Sequence, residues 1–327
     1  TPCGTLFPYT TLFRSADIDP KTYLLDINKV EDVLKKEKDV VGIIPVDFAG
    51  RAVNLEEYRV LADKYDCWIL EDACHAPGGY FIDSKGKKQL CGNGAFAELA
   101  IFSFHPVKHI ATGEGGMITT DDRELYEKLL LLRTHGITKD VEIFKNTIEI
   151  ALGVDSKQQI FTLSEDEVTN NEQQTNYPAW YYEMHELGFN YRLSDIHAAL
   201  GISQLRRIDE NLKRRREIAR AYHNAFKEKS FIEGQSGSVE GHGYHLYIIE
   251  INDRLGLYNY LRENDIFSQV HYIPNHLQPY YLGQGLKPGD FKSAENYYKK
   301  CLSIPMYHSL SDSEQEYVIK TIGSYYS

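Results

Sequence analysis

The feature that most constrains the fold is an alternation of amphipathic segments with short apolar ones. Apolar residues recur at helical spacing in Ile27–Lys36 and Leu55–Tyr65, whereas residues 40–46 and 68–70 are short runs typical of buried strands. Strands that alternate with helices form βαβ units around a mostly parallel sheet. With 42% hydrophobic residues in a chain of 327, the sequence predicts an α/β protein with one large and one small domain.

A glycine-rich loop that carries a lysine follows another apolar run, at residues 99–104. Pro106 and the Gly-Glu-Gly-Gly cluster at 113–116 turn the backbone out of the strand and leave Lys108 at the mouth of the loop. Partial burial there lowers the pKa of a lysine and frees its neutral amine for Schiff-base chemistry. The alternative is a loop lysine paired with Glu114.

A carboxylate is predicted at the edge of the same sheet, because the strand at 68–70 runs into Glu71 and Asp72. Open α/β sheets bind ligands at the carboxyl ends of their strands. Pyridoxal phosphate (PLP) requires a lysine for its aldehyde, a carboxylate for its ring nitrogen and donors for its phosphate. Lys108, Asp72 and Ser103 supply one of each, so the sequence predicts a PLP site.

Composition excludes several other classes of protein. A net charge of −11 opposes general binding to nucleic acid or to an acidic membrane. No apolar run approaches the roughly 20 residues of a membrane-spanning helix and no secretory signal is evident, so a cytoplasmic location is predicted. The five cysteines include no Cys-x-x-Cys pair, and nothing completes a ligand set around His271 and His276, so no metal site is predicted.

Four motifs occur together in the chain: residues 71–76 (Glu-Asp-Ala-Cys-His-Ala), 103–108 (Ser-Phe-His-Pro-Val-Lys), 113–116 (Gly-Glu-Gly-Gly) and 188–195 (Gly-Phe-Asn-Tyr-Arg-Leu-Ser-Asp). In this combination they resemble the DegT/DnrJ/EryC1/StrS family of sugar-nucleotide aminotransferases. The resemblance runs from about Ala16 to the C-terminus. It implies fold type I of the PLP-dependent transferases, with a large domain built on a mostly parallel sheet and a small α+β C-terminal domain.

The resemblance also implies roles for individual residues. Lys108 would hold the cofactor and move a proton in both half-reactions, Asp72 would pair with its ring nitrogen, and Ser103 would contact its phosphate. His75 would stack on the cofactor ring or donate a hydrogen bond to it. The alternative for His75 is a buried histidine that caps a helix.

Further implied contacts involve a second subunit and the substrate. In the family the residue at Asn190 reaches the cofactor phosphate of the neighbouring subunit, which implies a homodimer with shared active sites. Arg192 would contact the substrate or, alternatively, form a salt bridge with Asp195 or with another acidic residue. The remaining sugar-nucleotide contacts implied by the resemblance are His271, Tyr272, Ile273 and Pro274.

The implied reaction is transamination at C4 of a UDP-4-keto-6-deoxy-N-acetyl hexose, with an amino acid donor that is L-glutamate in most of the family. Residues 103–108, 180–184 and 270–274 are most similar to the branch of the family that acts in pseudaminic acid biosynthesis. The alternative is another NDP-4-keto-sugar aminotransferase. A related dehydratase branch has histidine at the position of the Schiff-base lysine, and Lys108 opposes that branch.

The predicted domain organisation has three parts. Residues 1–15 fit no helical or strand period and do not resemble the start of the family, so they are interpreted as a foreign segment. Residues 16–207 form the large PLP-binding domain, with an insertion at about 137–179, and residues 208–327 form a connecting helix and the small domain. The expected N-terminal part of the fold, with a helix start for the cofactor phosphate, has no counterpart, so an inactive fragment is a further alternative.

Overall fold

The computed structural model of the chain describes residues 13–153, 177–234 and 240–327, so most of the predicted foreign segment and part of the predicted insertion lie outside the described residues. The helices are α1 (Ile27–Lys36), α2 (Leu55–Tyr65), α3 (Arg123–Arg133), α4 (Ile148–Leu152), α5 (Asp195–Leu205), α6 (Ile208–Phe226), α7 (Arg254–Glu263), α8 (Pro279–Leu282), α9 (Lys292–Lys300) and α10 (Asp312–Tyr325). The strands are β1 (Gly42–Ile43), β2 (Trp68–Asp72), β3 (Tyr80–Ile82), β4 (Lys88–Leu90), β5 (Leu99–Ser103), β6 (Gly116–Thr119), β7 (Ile137–Thr138), β8 (Glu183–Met184), β9 (Glu233–Gly234), β10 (Tyr247–Glu250) and β11 (Cys301–Ile304).

The described residues form two compact units. One contains the residues up to Asp121 together with Asp195–Ser327, and the other contains the described part of Asp122–Ser194. The predicted division into domains at residue 207 remains a prediction. Among the described residues, none of the helices combines the length and apolar character that crossing a bilayer requires.

The first unit contains a four-stranded sheet in the order β1-β2-β5-β6. Strand β2 is parallel to both β1 and β5, whereas β6 is antiparallel to β5, so the predicted mostly parallel sheet is confirmed. Strand β1 is shorter than the predicted run at 40–46 because Pro45 has no N–H to donate to a ladder. Pairing resumes at Val46, which forms an isolated parallel bridge with Asp72.

Two helices bury their apolar faces against this sheet, as their sequence period predicts. Val30 and Leu34 of α1 pack with Leu61 of α2 and with Ile69 of β2, which is fully buried. The side chain of Asp26 caps α1 by accepting a hydrogen bond from the Asn28 N–H. Each buried aliphatic side chain contributes about 1.5–3 kcal/mol, so this cluster fixes the sheet edge at the end of β2.

A second cluster in the same unit lies on the three-stranded antiparallel sheet β11-β10-β9. Its largest fully buried members are Ile218, Tyr222, Ile249, Ile251, Leu257, Leu261, Leu302, Leu310 and Ile322. From the sequence, residues 267–271 are predicted to form a further strand of the small domain, and this prediction is wrong: of these residues only Gln269 pairs, by exchanging two backbone hydrogen bonds with Ser303. Two residues further along the chain, His271 contacts the same serine through its side chain, with its Nδ1 2.8 Å from the Ser303 hydroxyl.

One arginine of α6 departs from the solvated face that its charge run predicts. Arg215 is only 5% exposed, and its Nη1 donates to the carbonyl oxygens of Tyr244 and Met306, each at 2.9 Å. Burial lowers the pKa of Arg215 to about 10. This guanidinium therefore links α6 to the segments before β10 and after β11.

The second unit contains α3, α4 and the antiparallel hairpin β7-β8, with Ile137 opposite Met184. Its loops approach each other closely at two glycines. A Cβ on Gly136, whose φ is +70°, would lie 1.8 Å from the carbonyl oxygen of Glu186, and a Cβ on Gly188 would lie 2.1 Å from the Gly136 nitrogen. Only glycine fits both positions.

Gly136→Ala is expected to destabilise the protein by at least about 2 kcal/mol, because the added methyl group adds a clash to an unfavourable φ. Gly153→Ala is the matched control: its φ of +66° is similar, but no atom of the described residues lies within 4 Å of the added Cβ. Only the backbone cost of about 1–2 kcal/mol then remains. Urea denaturation of both variants measures the difference, and equal losses would contradict the close approach.

Candidate active site

Lys108 lies in a loop whose ends are joined by backbone hydrogen bonds. The N–H of Phe104 donates to the Gly115 carbonyl, and the N–H of Thr112 donates to the Phe104 carbonyl, both at 2.9 Å. Gly113, with a φ of +86°, allows the turn between them. The loop therefore returns directly from β5 to β6 and holds Lys108 half-buried.

The surroundings of Lys108 favour its neutral amine. Burial lowers the pKa of the ammonium group, and the nearby Cys74 and Asp72 oppose this effect. Glu114, the alternative ion-pair partner, contributes instead its carbonyl oxygen, which accepts from the Thr112 hydroxyl at 2.7 Å. A half-buried lysine beside a carboxylate suits covalent chemistry with a carbonyl group.

Asp72 ends β2 and is anchored by its backbone. Its N–H donates to the Pro45 carbonyl at 2.9 Å, and its own carbonyl accepts from the Asp47 N–H at 3.0 Å. The Asp72 Oδ1 accepts from the Cys74 N–H at 3.1 Å. Burial and the adjacent Asp72 carboxylate raise the pKa of the Cys74 thiol to about 12, so Cys74 stays uncharged beside Lys108.

His75 is a buried, neutral imidazole near Lys108. Its Nδ1 accepts a hydrogen bond from the Ala49 N–H at 3.3 Å, so the ring proton must be on Nε2. Burial lowers the pKa of His75 to about 3, and the positive charge of Lys108 contributes to the shift. The Nε2–H is therefore a hydrogen-bond donor throughout the physiological pH range.

The segment after β10 and α7 brings His271 and Tyr272 to the same place. The pKa of His271 is lowered by burial and by the charge of Lys108. The Tyr272 ring centroid lies 6.4 Å from that of His75, yet the tyrosine is 49% exposed, and Ile273 is 44% exposed. The structure thus gathers Asp72, His75, His271 and Tyr272 around Lys108, with an accessible rim.

The other predicted site residues lie as follows. The Ser103 Oγ accepts from the His105 N–H at 3.4 Å, at the end of β5, and Pro274 precedes the 3₁₀ turn Asn275–Leu277. In the second unit, Arg192 donates from Nε and Nη2 to the Asn190 Oδ1, at 3.3 and 3.0 Å, rather than to Asp195. The ligand contacts predicted for these residues remain predictions.

Sequence reasoning missed a buried acidic cluster behind Asp72. One ligand atom each from Asp47, Glu71 and Cys91 lies within 4.8 Å of the others. The Asp47 Oδ1 accepts from the Val53 N–H and the Glu71 Oε2 from the Gly92 N–H, both at 2.7 Å. Burial raises the pKa of both carboxyl groups, and the Glu71 charge raises that of Asp47 further, so we interpret the two as sharing a proton.

Asp47→Asn is expected to stabilise the protein increasingly as pH rises. A raised native pKa means that the folded state binds a proton that the unfolded state releases above about pH 4, so the wild-type stability falls with pH up to the native pKa. The asparagine side chain of the variant keeps a hydrogen-bond donor beside Glu71 but does not ionise in this pH range. The stability difference between variant and wild type should grow by about 1.4 kcal/mol per pH unit above about pH 5. Urea denaturation at pH 5–9 tests this, and a constant difference would contradict the shared proton.

Two further histidines were also missed. His109, which follows Lys108, and His245, which precedes β10, are 5% and 6% exposed. Their ring centroids lie 5.6 Å apart, and His245 lies 4.3 Å from His75. Their sequence positions give no sign of this contact, because it arises only when the segment before β10 packs on the lysine loop.

The donor set fits PLP, because Lys108, Asp72 and Ser103 provide an amine of lowered pKa, a carboxylate and a hydroxyl on adjacent strands of one sheet. A lysine loop at the strand edge of an α/β sheet, with an anchored carboxylate beside it, is the arrangement of PLP-dependent enzymes of fold type I. The model of the DegT/DnrJ/EryC1/StrS aminotransferase family matches residues 12–323, and the chain belongs to this family of enzymes.

Individual relatives agree with this assignment. A UDP-4-amino-4,6-dideoxy-N-acetyl-beta-L-altrosamine transaminase of Campylobacter jejuni is 34% identical over 311 residues, 92% of this chain and 70% of the relative. The spore coat polysaccharide biosynthesis protein SpsC of Bacillus subtilis is 33% identical over 316 residues, 94% of this chain and 72% of the relative.

Solved structures show the same fold. Helicobacter pylori PseC, an aminotransferase involved in the biosynthesis of pseudoaminic acid, superposes with a TM-score of 0.76 at 26% identity, covering 95% of this chain and 73% of PseC. A DegT DnrJ EryC1 StrS aminotransferase from Brucella abortus gives 0.73 at 26% identity, covering 95% and 72%. The predicted α/β fold of type I is therefore confirmed.

Proposed function

We propose that the protein transfers an amino group to C4 of a UDP-linked 4-keto-6-deoxy-N-acetyl hexose, with PLP as cofactor and L-glutamate as donor. The observation that carries the proposal is the half-buried Lys108, whose pKa is lowered and whose electrostatic partners include Asp72, His75 and His271. The similarity to the Campylobacter transaminase and to PseC supports this class of substrate.

PLP supplies, when bound, an aldehyde that combines with amines and a ring that withdraws electrons. Lys108 would attach the cofactor and, once displaced by the amino donor, its Nζ would carry a proton to and from the carbon that bears the nitrogen. The lowered pKa of Lys108 suits this task, because it increases the fraction of the amine that is neutral at a given pH.

Three neighbouring side chains would orient the cofactor. Asp72, fixed by backbone bonds on both sides, would keep the ring nitrogen protonated. His75 would donate from Nε2 to the ring as a neutral group, since its Nδ1 is already engaged by the Ala49 N–H. The hydroxyl of Ser103 would contact the phosphate.

The sugar nucleotide would bind at His271, Tyr272, Ile273 and Pro274, where exposed Tyr272 and Ile273 lie beside the buried imidazoles. Asn190 and Arg192 would serve the active site of a second copy, Asn190 at the cofactor phosphate and Arg192 at the substrate. Apolar side chains near them in sequence, Leu187, Phe189 and Tyr191, are 87%, 52% and 72% exposed, as expected of an interface in a homodimer.

The decisive experiment has two parts. After incubation with PLP, borohydride trapping and peptide mass spectrometry should place the cofactor on Lys108. A panel of UDP-4-keto sugars, each offered with glutamate, glutamine, aspartate or alanine, should give an amine at C4, located by mass spectrometry and NMR of the product. Failure to retain PLP, or an amine at another carbon, would overturn the proposal.

A second candidate is another NDP-4-keto-sugar aminotransferase of the same family. It is favoured by the near-equal identity to SpsC, 33%, and to the altrosamine transaminase, 34%. Including dTDP- and GDP-linked 4-keto sugars in the panel separates the two, because the preferred nucleotide gives the larger kcat/KM.

A further inference from the structure

His75 is packed against a second imidazole that the proposed reaction does not use. The ring centroid of His245 lies 4.3 Å from that of His75, with an angle of 38° between the planes. His245 also packs edge-on against the ring of His109, with the centroids 5.6 Å apart. His245 therefore contacts both of the other buried imidazoles, His75 and His109.

The place of His75 is set by few contacts. The Ala49 N–H holds its Nδ1, and the rings of Phe48 and Tyr272 lie farther away, with centroids at 6.1 and 6.4 Å. Of these ring contacts, that with His245 is the shortest. Removing the His245 ring would therefore take away the ring nearest to His75 and leave the Ala49 hydrogen bond with the more distant rings of Phe48 and Tyr272.

We propose that His245 is a positioning residue, whose ring holds the His75 imidazole in place so that Nδ1 keeps its hydrogen bond from the Ala49 N–H and the ring proton stays on Nε2. The inference rests on the proposed function, in which that Nε2–H faces the cofactor ring. His245 itself does not contact the reacting groups in this proposal. It acts only through His75.

The charges around the pair explain why an uncharged ring is required. The titratable groups that act on the two imidazoles are Lys108, His109, Arg215, His271 and the neighbouring Tyr272. Burial holds the pKa of His245 far below its usual value, and the positive charges of Lys108 and Arg215 lower it further. A stack of two neutral rings is stable there, whereas water entering in place of His245 would let His75 take up a proton.

The test is an NMR titration of the apoprotein, labelled with ¹³C and ¹⁵N in histidine, between pH 5 and 8. His75→Gln assigns the His75 signal. In the wild type, His75 should remain neutral with its proton on Nε2. His245→Ala should make it titrate within this range and lose the tautomer preference, whereas His245→Phe keeps a ring of similar shape and should preserve both properties.

His242→Phe is the matched control. His242 is equally buried; its ring stacks on Tyr244 with centroids 3.9 Å apart, and its Nδ1 accepts from the Tyr244 N–H at 2.9 Å. Among the described residues, the rings that pack against His75 are those of Phe48, His245 and Tyr272. This variant should leave the His75 titration unchanged. In parallel, His245→Ala should weaken PLP binding by about tenfold, the effect of one misplaced hydrogen bond, while His245→Phe stays within about twofold.

Either of two results would overturn the proposal: a His75 titration in His245→Ala that matches the wild type, or a His245→Phe variant that frees His75 as much as alanine does. A wild-type protein that fails to bind PLP but shows the expected histidine titrations would instead overturn the proposed function. The coupling between His245 and His75 would then stand by itself.

Discussion

Lys108→Ala is expected to abolish covalent retention of PLP and to lower the rate of transamination by at least about 10⁴-fold, the upper end of the range for a lost proton-transfer group. The loss is large because one amine would both attach the cofactor and carry the proton. The side chain is half-buried in a loop closed by backbone hydrogen bonds, so the fold should persist. Visible spectra after gel filtration and single-turnover rates measure the two effects.

Lys85→Ala serves as the control for this variant. Lys85 is exposed in the turn between β3 and β4, away from the lysine loop in sequence, so both properties should be retained. Retention of a visible band and of turnover by Lys108→Ala would contradict the role of Lys108. A lost band in Lys85→Ala would point to a general loss of folding.

Asp72→Asn is expected to lower kcat by about 10²–10⁴-fold with a smaller change in KM, because an amide cannot keep the cofactor ring nitrogen protonated. The fold should survive, since the backbone bonds of Asp72 with Pro45 and Asp47 do not involve its side chain. Steady-state kinetics measures the loss of kcat, and circular dichroism checks that the fold survives. The effect on kcat rather than KM distinguishes an electronic role from loss of substrate binding.

Asp66→Asn is the matched substitution just before the same strand. Asp66 ends α2 in the left-handed conformation, with a φ of 56°, which asparagine also tolerates. Activity should therefore stay close to that of the wild type. An Asp72→Asn protein with unchanged kcat would show that this carboxylate does not serve the ring nitrogen.

The sequence predicted well those parts of the fold that depend on local periodicity. The bounds of α1 and α2 agree with the prediction because each has an apolar stripe and residues suited to its ends. The predicted strand at 267–271 failed because its apolar residues do not continue a ladder. A single pair, Gln269 with Ser303, satisfies the backbone there, and the chain then turns at His271.

The site residues that lie in motifs at strand ends could be predicted from the sequence. The site residues that come together only through contacts between distant segments could not. Asp72 and Lys108 follow apolar runs, so their place at the sheet edge could be inferred. In the sequence, Asp47 and residues 48–50 follow a strand end, a pattern that favours a turn over a place in the pocket. Asp47 does precede the 3₁₀ turn Phe48–Gly50, but its side chain lies in the acidic cluster with Glu71. His245 gave no signal, because its position under His75 follows only from tertiary packing.

The closed lysine loop and the segment at Tyr272 and Ile273 are expected to tolerate different kinds of sequence change. Phe104 bonds to both Thr112 and Gly115, so an insertion or deletion between them would break the pairing of β5 with β6. By contrast, Tyr272 and Ile273 are half-exposed and do not belong to a strand. Directed evolution toward new sugar substrates should therefore select substitutions of Tyr272 and Ile273. The number of residues between Phe104 and Gly115 should stay the same.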